Sequence, residues 1–198
     1  QISGFPNIQY YCKNNNLSGI EDVANLQYVE KNYFKYQDKE IRPVDFDHFN
    51  FRVAFQVEKH YNSNDQTIVN INNKWNTTKK VFRYIKRFEY THKDLPFLVH
   101  CSIVKTSKSH NNKYIPQFNI KDSKVFDSIE HFEIEIELNN TLIAINSSYD
   151  RGVILYDKLK QVIKYILIGL QQTNFPIAIS QQTSVINNYL KIIKGKNY

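Results

Sequence analysis

Three glutamates alternate with apolar residues between Phe132 and Leu138, and carboxylates at that spacing could bind a divalent cation. The side chains of a β-strand point alternately to its two faces. Glu133, Glu135 and Glu137 therefore share one face, with neighbouring side chains roughly 6.6–6.8 Å apart. Mg²⁺ and Mn²⁺ prefer oxygen ligands of this kind. The same pattern also fits a half-buried strand that shows its glutamates to solvent, so the choice depends on what else lines that face.

Basic side chains on two other predicted strands would suit a phosphate ligand. Arg52 lies on the polar face of the segment 50–59, and Arg83 and Arg87 share one face of the segment 80–91. Arginine suits phosphate because its planar fork makes paired, charge-assisted hydrogen bonds. For each strand alone, a solvated face is the simpler interpretation. Together, acidic and basic strand faces are what a closed barrel needs to hold a metal and a phosphate chain in its lumen.

The elements that must position these residues are mostly strands. Period-two patterns predict strands over 26–36, 50–59, 80–91, 96–106 and 131–138, separated by polar loops that include 60–78 and 106–125. The segment 96–106 is apolar on both faces, which predicts a central strand. Lys105 falls in phase with Cys101 and Ile103, so a bulge or a strand end must redirect it if it is to reach a polar site.

Helices are predicted after the strands. Apolar residues recur at helical spacing from a start near Ser148 or Asp150, and Pro176 is expected to break that helix. A second helix is predicted from Ser180 to Gly195. Residues 1–20 look irregular or helical. The fold class predicted from these patterns is α+β, with a mostly antiparallel sheet followed by helices.

Composition limits the classes of protein to which this chain can belong. Its 198 residues, 41% of them hydrophobic, suit one domain or one domain with an appendage. The net charge of +7 and the pI near 9.2 favour a polyanionic partner. Cys12 and Cys101 form neither a metal motif nor a disulfide framework, which suits a reducing, intracellular setting. The most apolar window, 153–170, contains four charged residues and does not predict a membrane span. Because the chain lacks Met and begins with Gln1, we expect an interior segment of a longer protein.

The ordered basic, central and acidic strands resemble one family, the triphosphate tunnel metalloenzymes. The likeness is to the RNA 5′-triphosphatase domain of mRNA-capping enzymes from large DNA viruses, and it covers roughly 26–138. It is carried by Phe51-Arg52-Val53, Phe82-Arg83-Tyr84-Ile85-Lys86-Arg87-Phe88, Ser102-Ile103-Val104-Lys105-Thr106-Ser107 and Glu133-Ile-Glu-Ile-Glu-Leu138. The resemblance implies an antiparallel β-barrel, the triphosphate tunnel, over 1–148. Residues 149–198 are then flanking helices, and 170–177 resembles the connector before a guanylyltransferase domain.

The resemblance also implies a site and a reaction. Its metal ligands are Glu133, Glu135 and Glu137, and the metal is Mg²⁺ or Mn²⁺. Its catalytic residues are Glu133, Glu135, Arg83, Arg87 and Lys105, and its substrate-binding residues are Arg52, Lys80, Arg83, Arg87 and Lys105. The implied enzyme is a hydrolase that removes the γ-phosphate of 5′-triphosphate RNA in mRNA capping. Its implied partners are that RNA and a guanylyltransferase domain downstream in the same polypeptide, without a membrane, in the host cytoplasm or the virion.

The sequence departs from the family pattern in several places. Ile85 stands where relatives often carry a third basic residue, and His100 stands where an aspartate is usual. The simpler interpretation of His100 is a core residue and not a functional one. A second Glu-x-Glu strand is absent before Arg52 and is expected upstream of Gln1, so that this segment alone is an incomplete site. No Lys-x-Asp-Gly nucleotidyl-transfer motif is present.

Two alternative functions stay open at the level of sequence. A tunnel phosphohydrolase acting on free nucleoside triphosphates or polyphosphate needs the same residues, so only substrate competition separates it from an RNA triphosphatase. A non-catalytic basic module that binds RNA or a partner subunit needs no complete metal site.

Overall fold

The computed structural model describes residues 2–5, 7–12, 26–111, 113–145 and 152–194, and within them the chain is mixed α+β. The strands are β1 (Ile8–Cys12), β2 (Leu26–Tyr33), β3 (Lys35–Tyr36), β4 (Lys39–Glu40), β5 (Val44–Phe46), β6 (Phe51–Val53), β7 (Gln56–Tyr61), β8 (Arg83–His92), β9 (Leu95–Thr106), β10 (Ser109–His110), β11 (Lys113–Tyr114) and β12 (His131–Leu138). The helices are α1 (Gln66–Asn73), α2 (Ile120–Ser123), α3 (Asn140–Ile145), α4 (Gly152–Gln171) and α5 (Ile179–Lys194). None of these helices has the length and apolarity that a membrane crossing requires.

The chain divides into two compact units. Unit 1 comprises Gln1–Ile41, Phe55–Phe88 and Cys101–Ile134, and unit 2 comprises Arg42–Ala54, Glu89–His100 and Glu135–Tyr198. One three-stranded sheet has the order β12-β9-β8. The described strands form five small sheets rather than one closed barrel, so barrel closure stays a prediction.

Unit 1 has its core where an antiparallel sheet meets α1. The sheet has the order β1-β2-β7, with Ile8 opposite Glu30 and Tyr28 opposite Tyr61. In α1, Ile68 and Ile71 lie one helical turn apart and are both buried. The hydrophobic core of this unit consists of Ile2, Ile8, Tyr28, Ile68 and Ile71, with Tyr10, Leu26, Tyr61 and Trp75 packed against it.

Unit 2 contains a small hairpin and the two long helices. The β5-β6 hairpin is antiparallel, and the rings of Phe46 and Phe51 stack across it at 4.7 Å. The Ile179 N–H at the start of α5 donates to the backbone oxygen of His48 at 2.8 Å. Many apolar side chains of α5 are exposed, and within its described length none is buried.

The predicted strands are largely confirmed. The segment 26–36 forms β2 and β3, 80–91 overlaps β8, and 96–106 and 131–138 correspond to β9 and β12. The segment 50–59 is interrupted, because β6 ends at Val53 and β7 begins at Gln56.

Other sequence-based expectations need correction. The segment 1–20 contains a strand, β1, which the irregular-or-helical prediction missed, and the predicted loop 60–78 contains α1.

The first long helix ends at Gln171, before Pro176. Its end is a left-handed turn at Gln172 (φ 52°), after which the Thr173 N–H donates back to Ile168 O. The predicted helix start near Ser148 or Asp150, the helix end at Gly195 and the domain boundary at 148–149 lie outside the described residues.

Candidate metal centre

The acidic strand β12 is accessible on both of its faces. Phe132 is 79% exposed and Ile134 is 41% exposed, whereas Ile136 is partly buried. Glu133 and Glu135 are each only partly accessible, but the Glu137 side chain is 44% exposed. A strand that merely shows glutamates to water should have its apolar face buried, and the apolar face of β12 is not. The neighbours of the glutamates therefore decide what these side chains can do.

His100 lies on the central strand β9, between the strands that carry the acidic and the basic residues. β9 has β12 on one side and β8 on the other, and alternate residues from His100 onward (Ser102, Val104 and Thr106) are buried. The Asn139 N–H, just after β12, donates to Pro96 O near the start of β9 at 2.9 Å. This bond helps to fix the end of β12, where Glu137 lies, against β9 in unit 2.

The two nitrogens of His100 face two carboxylates. Nε2 lies 3.0 Å from the Glu89 Oε2 atom, a hydrogen-bond distance. Nδ1 lies 3.7 Å from the Glu137 Oε2 atom, which is too long for a hydrogen bond. Nδ1 is buried and has no hydrogen-bond partner among the described residues. A buried polar atom without a partner costs free energy, so a native structure needs a reason to keep it.

These residues form the group that could hold a metal ion. One ligand atom each of His100, Glu135 and Glu137 lies within 4.8 Å of the others. The group contains two of the three predicted glutamates together with a nitrogen donor that was interpreted as a core residue. A buried imidazole beside two carboxylates is a ligand set that first-row divalent ions accept. Nothing in the set identifies the ion, but the residues fit one.

Glu133 is engaged by an arginine within unit 1. The Nη2 atom of Arg83 donates to both carboxylate oxygens of Glu133, at 3.0 and 2.9 Å. Two hydrogen bonds between the neighbouring Phe82 and Ser107 fix the chain next to Arg83. The Phe82 N–H donates to Ser107 Oγ, and the Ser107 N–H donates to Phe82 O. Arg83 therefore lies beside one of the predicted metal ligands, as a charge partner.

Arg87 lies four residues after Arg83, which is two full alternations, so both project from the same face of β8. Its Nε atom donates to Ser102 Oγ at 3.2 Å, which orients the guanidinium toward β9. Sequence reasoning placed these two arginines on one strand face, and the structure agrees. Sequence reasoning could not supply the cross-strand partners of these arginines, because those partners depend on strand order and register.

The three other predicted basic residues have different surroundings. Arg52 donates to both oxygens of Asp45 across the β5-β6 hairpin, and these hydrogen bonds hold the pKa of Asp45 below its usual value. Lys105 donates to Phe126 O at 3.2 Å and lies 3.5 Å from Glu130. Because Lys105 is odd-numbered in β9 and His100 is even-numbered, the two project from opposite faces of that strand. The contacts of Lys105 with Phe126 and Glu130 give no evidence for the bulge or strand end that would redirect it toward a polar site.

Lys80 is a buried structural lysine. Its ammonium donates to the backbone oxygens of Trp75 and Thr78 and lies 4.3 Å from the centre of the Trp75 ring. Burial lowers the pKa of Lys80. In this arrangement Lys80 stabilises the turn that follows α1, and its role as a phosphate ligand stays a prediction, as do those of Arg52 and Lys105.

Sequence reasoning did not connect His100 and Glu89 with the glutamates of β12. A signal for His100 was present, since it is the one ionisable residue on the buried face of β9. Glu89 is in phase with Arg83 and Arg87 on β8, which places it on the same strand face. Only strand pairing reveals that this carboxylate meets the imidazole.

In comparisons with known proteins, no family model, curated protein or solved structure matches this chain.

Proposed function

We propose that this chain is the catalytic segment of a metal-dependent RNA 5′-triphosphatase, which removes the γ-phosphate from 5′-triphosphate RNA in mRNA capping. One observation carries the proposal. Two glutamates of β12, Glu135 and Glu137, lie with the buried His100 in a group that could hold a metal ion. A carboxylate that is partly removed from water, as Glu135 is, costs free energy unless a cation or a hydrogen-bond donor offsets it.

The basic residues support a phosphate as the substrate. Arg83 and Arg87 lie on one face of β8, and the whole chain carries a net charge of +7. In the proposed reaction, both guanidinium groups bind oxygens of the triphosphate, whose charge they match. Glu133 holds Arg83 in position before the substrate arrives, because it accepts two hydrogen bonds from the same Nη2 atom.

The residues that would hold the metal are His100, Glu135 and Glu137. A divalent cation, Mg²⁺ or Mn²⁺, supplies positive charge beside the phosphate oxygens on which negative charge develops in the transition state. The chain's own residues position the triphosphate and exclude water from it, and fixed charges act most strongly in such a water-poor site. Closure of the strands into a tunnel belongs to this proposal.

The proposal extends to partners and location. The RNA 5′-triphosphate end is the substrate, and a guanylyltransferase domain downstream in the same polypeptide would cap the diphosphate end that is left. The host cytoplasm or the virion is the proposed place of action. Each of these follows from the resemblance to capping enzymes and from the basic charge.

The test is phosphate release from RNA labelled at the γ-phosphate, with Mg²⁺ or Mn²⁺ added and with chelator as the blank. Glu135→Gln should lose most of this activity, because it removes the charge of one ligand at nearly constant size. Glu40→Gln, on the exposed strand β4, is the matched control and should keep wild-type activity. Removing a charge at such surface positions usually changes stability by less than about 0.5 kcal/mol.

Free nucleoside triphosphate, offered in competition, decides between the RNA enzyme and a general tunnel phosphohydrolase. We expect the RNA end to be preferred. If Glu135→Gln is fully active, the assignment of Glu135 to the metal site of the triphosphatase is wrong. If wild-type protein releases no phosphate from either substrate with either metal, this segment by itself is not the triphosphatase, and a non-catalytic RNA-binding module becomes the better interpretation.

A further inference from the structure

We propose that His100 is itself a metal ligand, through Nδ1, and that the site therefore takes a first-row transition ion such as Mn²⁺ in preference to Mg²⁺. This inference rests on the metal site of the proposed function. It concerns the ion and the ligand atoms, however, and it is tested by binding without any measurement of hydrolysis.

The distances suit two ligands of one ion better than any direct bond between the residues. The Nδ1 atom of His100 and the Oε2 atom of Glu137 are 3.7 Å apart. Two ligands that each lie about 2.0–2.2 Å from a shared ion are separated by roughly 3–4 Å. All three candidate ligand atoms lie within 4.8 Å of one another, so small rotations of exposed or half-buried carboxylates bring them onto one ion.

Glu89 prepares the imidazole for this role. The Glu89 Oε2 atom lies 3.0 Å from Nε2, so it can accept a hydrogen bond from an Nε2–H group. In the neutral imidazole that carries its hydrogen on Nε2, the lone pair that could bind a metal is on Nδ1. Metal-bound histidines typically donate their other nitrogen to a carboxylate in this way, which fixes the tautomer and the ring orientation. The His100 side chain is only 6% exposed, so its ring has little freedom to turn elsewhere. Glu89 is in this sense a positioning residue.

The unpartnered atom points to the same role. The buried Nδ1 atom has no hydrogen-bond partner in the described part of the chain, although it faces the carboxylate of Glu137. Two electron-rich atoms that face each other, one of them buried, repel unless something positive lies between them. A metal ion satisfies both. A proton on Nδ1 is the rival occupant, and it would turn His100 into an imidazolium between two carboxylates.

The nitrogen donor is the reason for the metal preference. Mg²⁺ favours sites made only of oxygen ligands and water, whereas imidazole suits transition ions. An imidazole in place of a third oxygen therefore lowers the relative affinity for Mg²⁺. A site in which His100 is only a neighbour would bind either ion through the two carboxylates, and bound Mn²⁺ would then show no coupling to an imidazole nitrogen.

The experiment is electron paramagnetic resonance of the full chain titrated with Mn²⁺, followed by pulsed measurement of nitrogen couplings to the bound ion. We expect one Mn²⁺ to bind with an imidazole ¹⁴N coupling. Half-displacement by Mg²⁺ should need at least about tenfold more Mg²⁺ than Mn²⁺. Failure of Mn²⁺ to bind, bound Mn²⁺ without nitrogen coupling, or equal affinity for both ions would overturn the inference. Each of these contrary outcomes is read on the wild-type protein, so none of them depends on a variant that folds.

Variants sharpen the assignment. His100→Gln should abolish the nitrogen coupling and weaken Mn²⁺ binding by about tenfold or more. His100→Asp restores an all-oxygen set and should shift the preference toward Mg²⁺. His92→Gln is the matched control, since His92 is exposed in the same unit, and it should leave the coupling intact. Coupling that survives His100→Gln but disappears in His92→Gln would also refute the assignment.

The outcomes for this inference and for the triphosphatase proposal are separable. Nitrogen-coupled Mn²⁺ without phosphate release from RNA would keep the ligand assignment and refute the hydrolase. Phosphate release that is equally fast with Mg²⁺ and Mn²⁺, with no nitrogen coupling, would keep the hydrolase and refute the role of His100.

Discussion

At the scale of single residues, each carboxylate near β8, β9 and β12 has a different partner. Glu133 accepts from Arg83, Glu89 meets Nε2 of His100, and Glu137 faces Nδ1 across a gap. Identical side chains in one strand can therefore have different tasks, because their neighbours on other strands differ. In the proposed enzyme, Glu133 orients a phosphate-binding arginine, whereas Glu135 and Glu137 serve the metal.

Arg87 provides the sharpest prediction for phosphate binding. Its Nε atom donates to Ser102 Oγ at 3.2 Å, which ties the guanidinium to the neighbouring strand β9. Arg87→Lys keeps the charge but removes both the Ser102 bond and the paired geometry. A hydrogen bond to a charged group contributes about 1.5–3 kcal/mol, so we expect the rate to fall by about tenfold or more at saturating metal.

The measurement is steady-state phosphate release, with Arg42→Lys as the matched control because Arg42 is exposed outside the strands. The control should retain the wild-type rate. If Arg87→Lys is as active as the control, that face of β8 does not bind substrate.

At the scale of secondary-structure elements, unit 1 is held together where α1 packs on the β1-β2-β7 sheet. Ile68 is fully buried in α1, and its partners in the core come from β1, β2 and the N-terminal segment. Ile68→Ala should lower the free energy of unfolding by about 2–5 kcal/mol, because it removes buried apolar atoms and leaves a cavity.

Denaturant titration measures this change, and Asn73→Ala, an exposed position of the same helix, is its control. A loss below about 1 kcal/mol for Ile68→Ala would mean that the helix is not packed as described.

Tyr10 makes the contact between β1 and α1 sensitive to alkaline pH. Its ring stacks on Trp75 and its hydroxyl donates to Asn72 Oδ1 at 3.2 Å. Burial, assisted by the neighbouring Tyr28, raises the pKa of Tyr10 from 10.0 to about 12. Between these values the unfolded chain has lost the proton while the folded chain keeps it, so the contribution of Tyr10 to stability is complete below pH 10 and decreases as the pH rises toward 12.

The difference in unfolding free energy between wild type and Tyr10→Phe should therefore shrink from pH 10 to pH 12 and stay constant below pH 10. Denaturant titrations at several pH values measure it, and phenolate absorbance identifies the late-titrating tyrosine. A difference that does not change across that range would show that Tyr10 is not buried as described.

The elements also show how far sequence reasoning reaches. Alternation located β8, β9 and β12, because those strands are long and their patterns are regular. It missed α1, since only Ile68 and Ile71 of that helix are buried and the surrounding segment is polar. The glutamates of the site were found from their spacing, but the pairing of His100 with Glu89 and Glu137 required strand order, which periodicity does not contain.

At the scale of the whole molecule, the excess of basic residues should govern how RNA binds. A net charge of +7 attracts a polyanion, and binding that neutralises phosphates releases counterions and weakens with salt. If the chain contacts two or three phosphates of the RNA beyond its 5′ end, KM should rise on the order of tenfold between about 50 and 200 mM salt. The turnover rate should change little with salt, because the contacts to the RNA body that salt weakens affect binding and do not touch the triphosphate.

The measurement compares long and very short RNAs that carry the same 5′-triphosphate. We expect the KM of the long RNA to be lower at low salt and to rise more steeply, because only the long RNA reaches basic side chains outside the site. If both substrates respond to salt equally, the RNA body makes no contact, and a phosphohydrolase of free nucleotides becomes the better description. If RNA with a 5′-hydroxyl end inhibits the reaction with an inhibition constant that rises equally steeply with salt, the response belongs to the RNA body alone, since that end lacks the triphosphate.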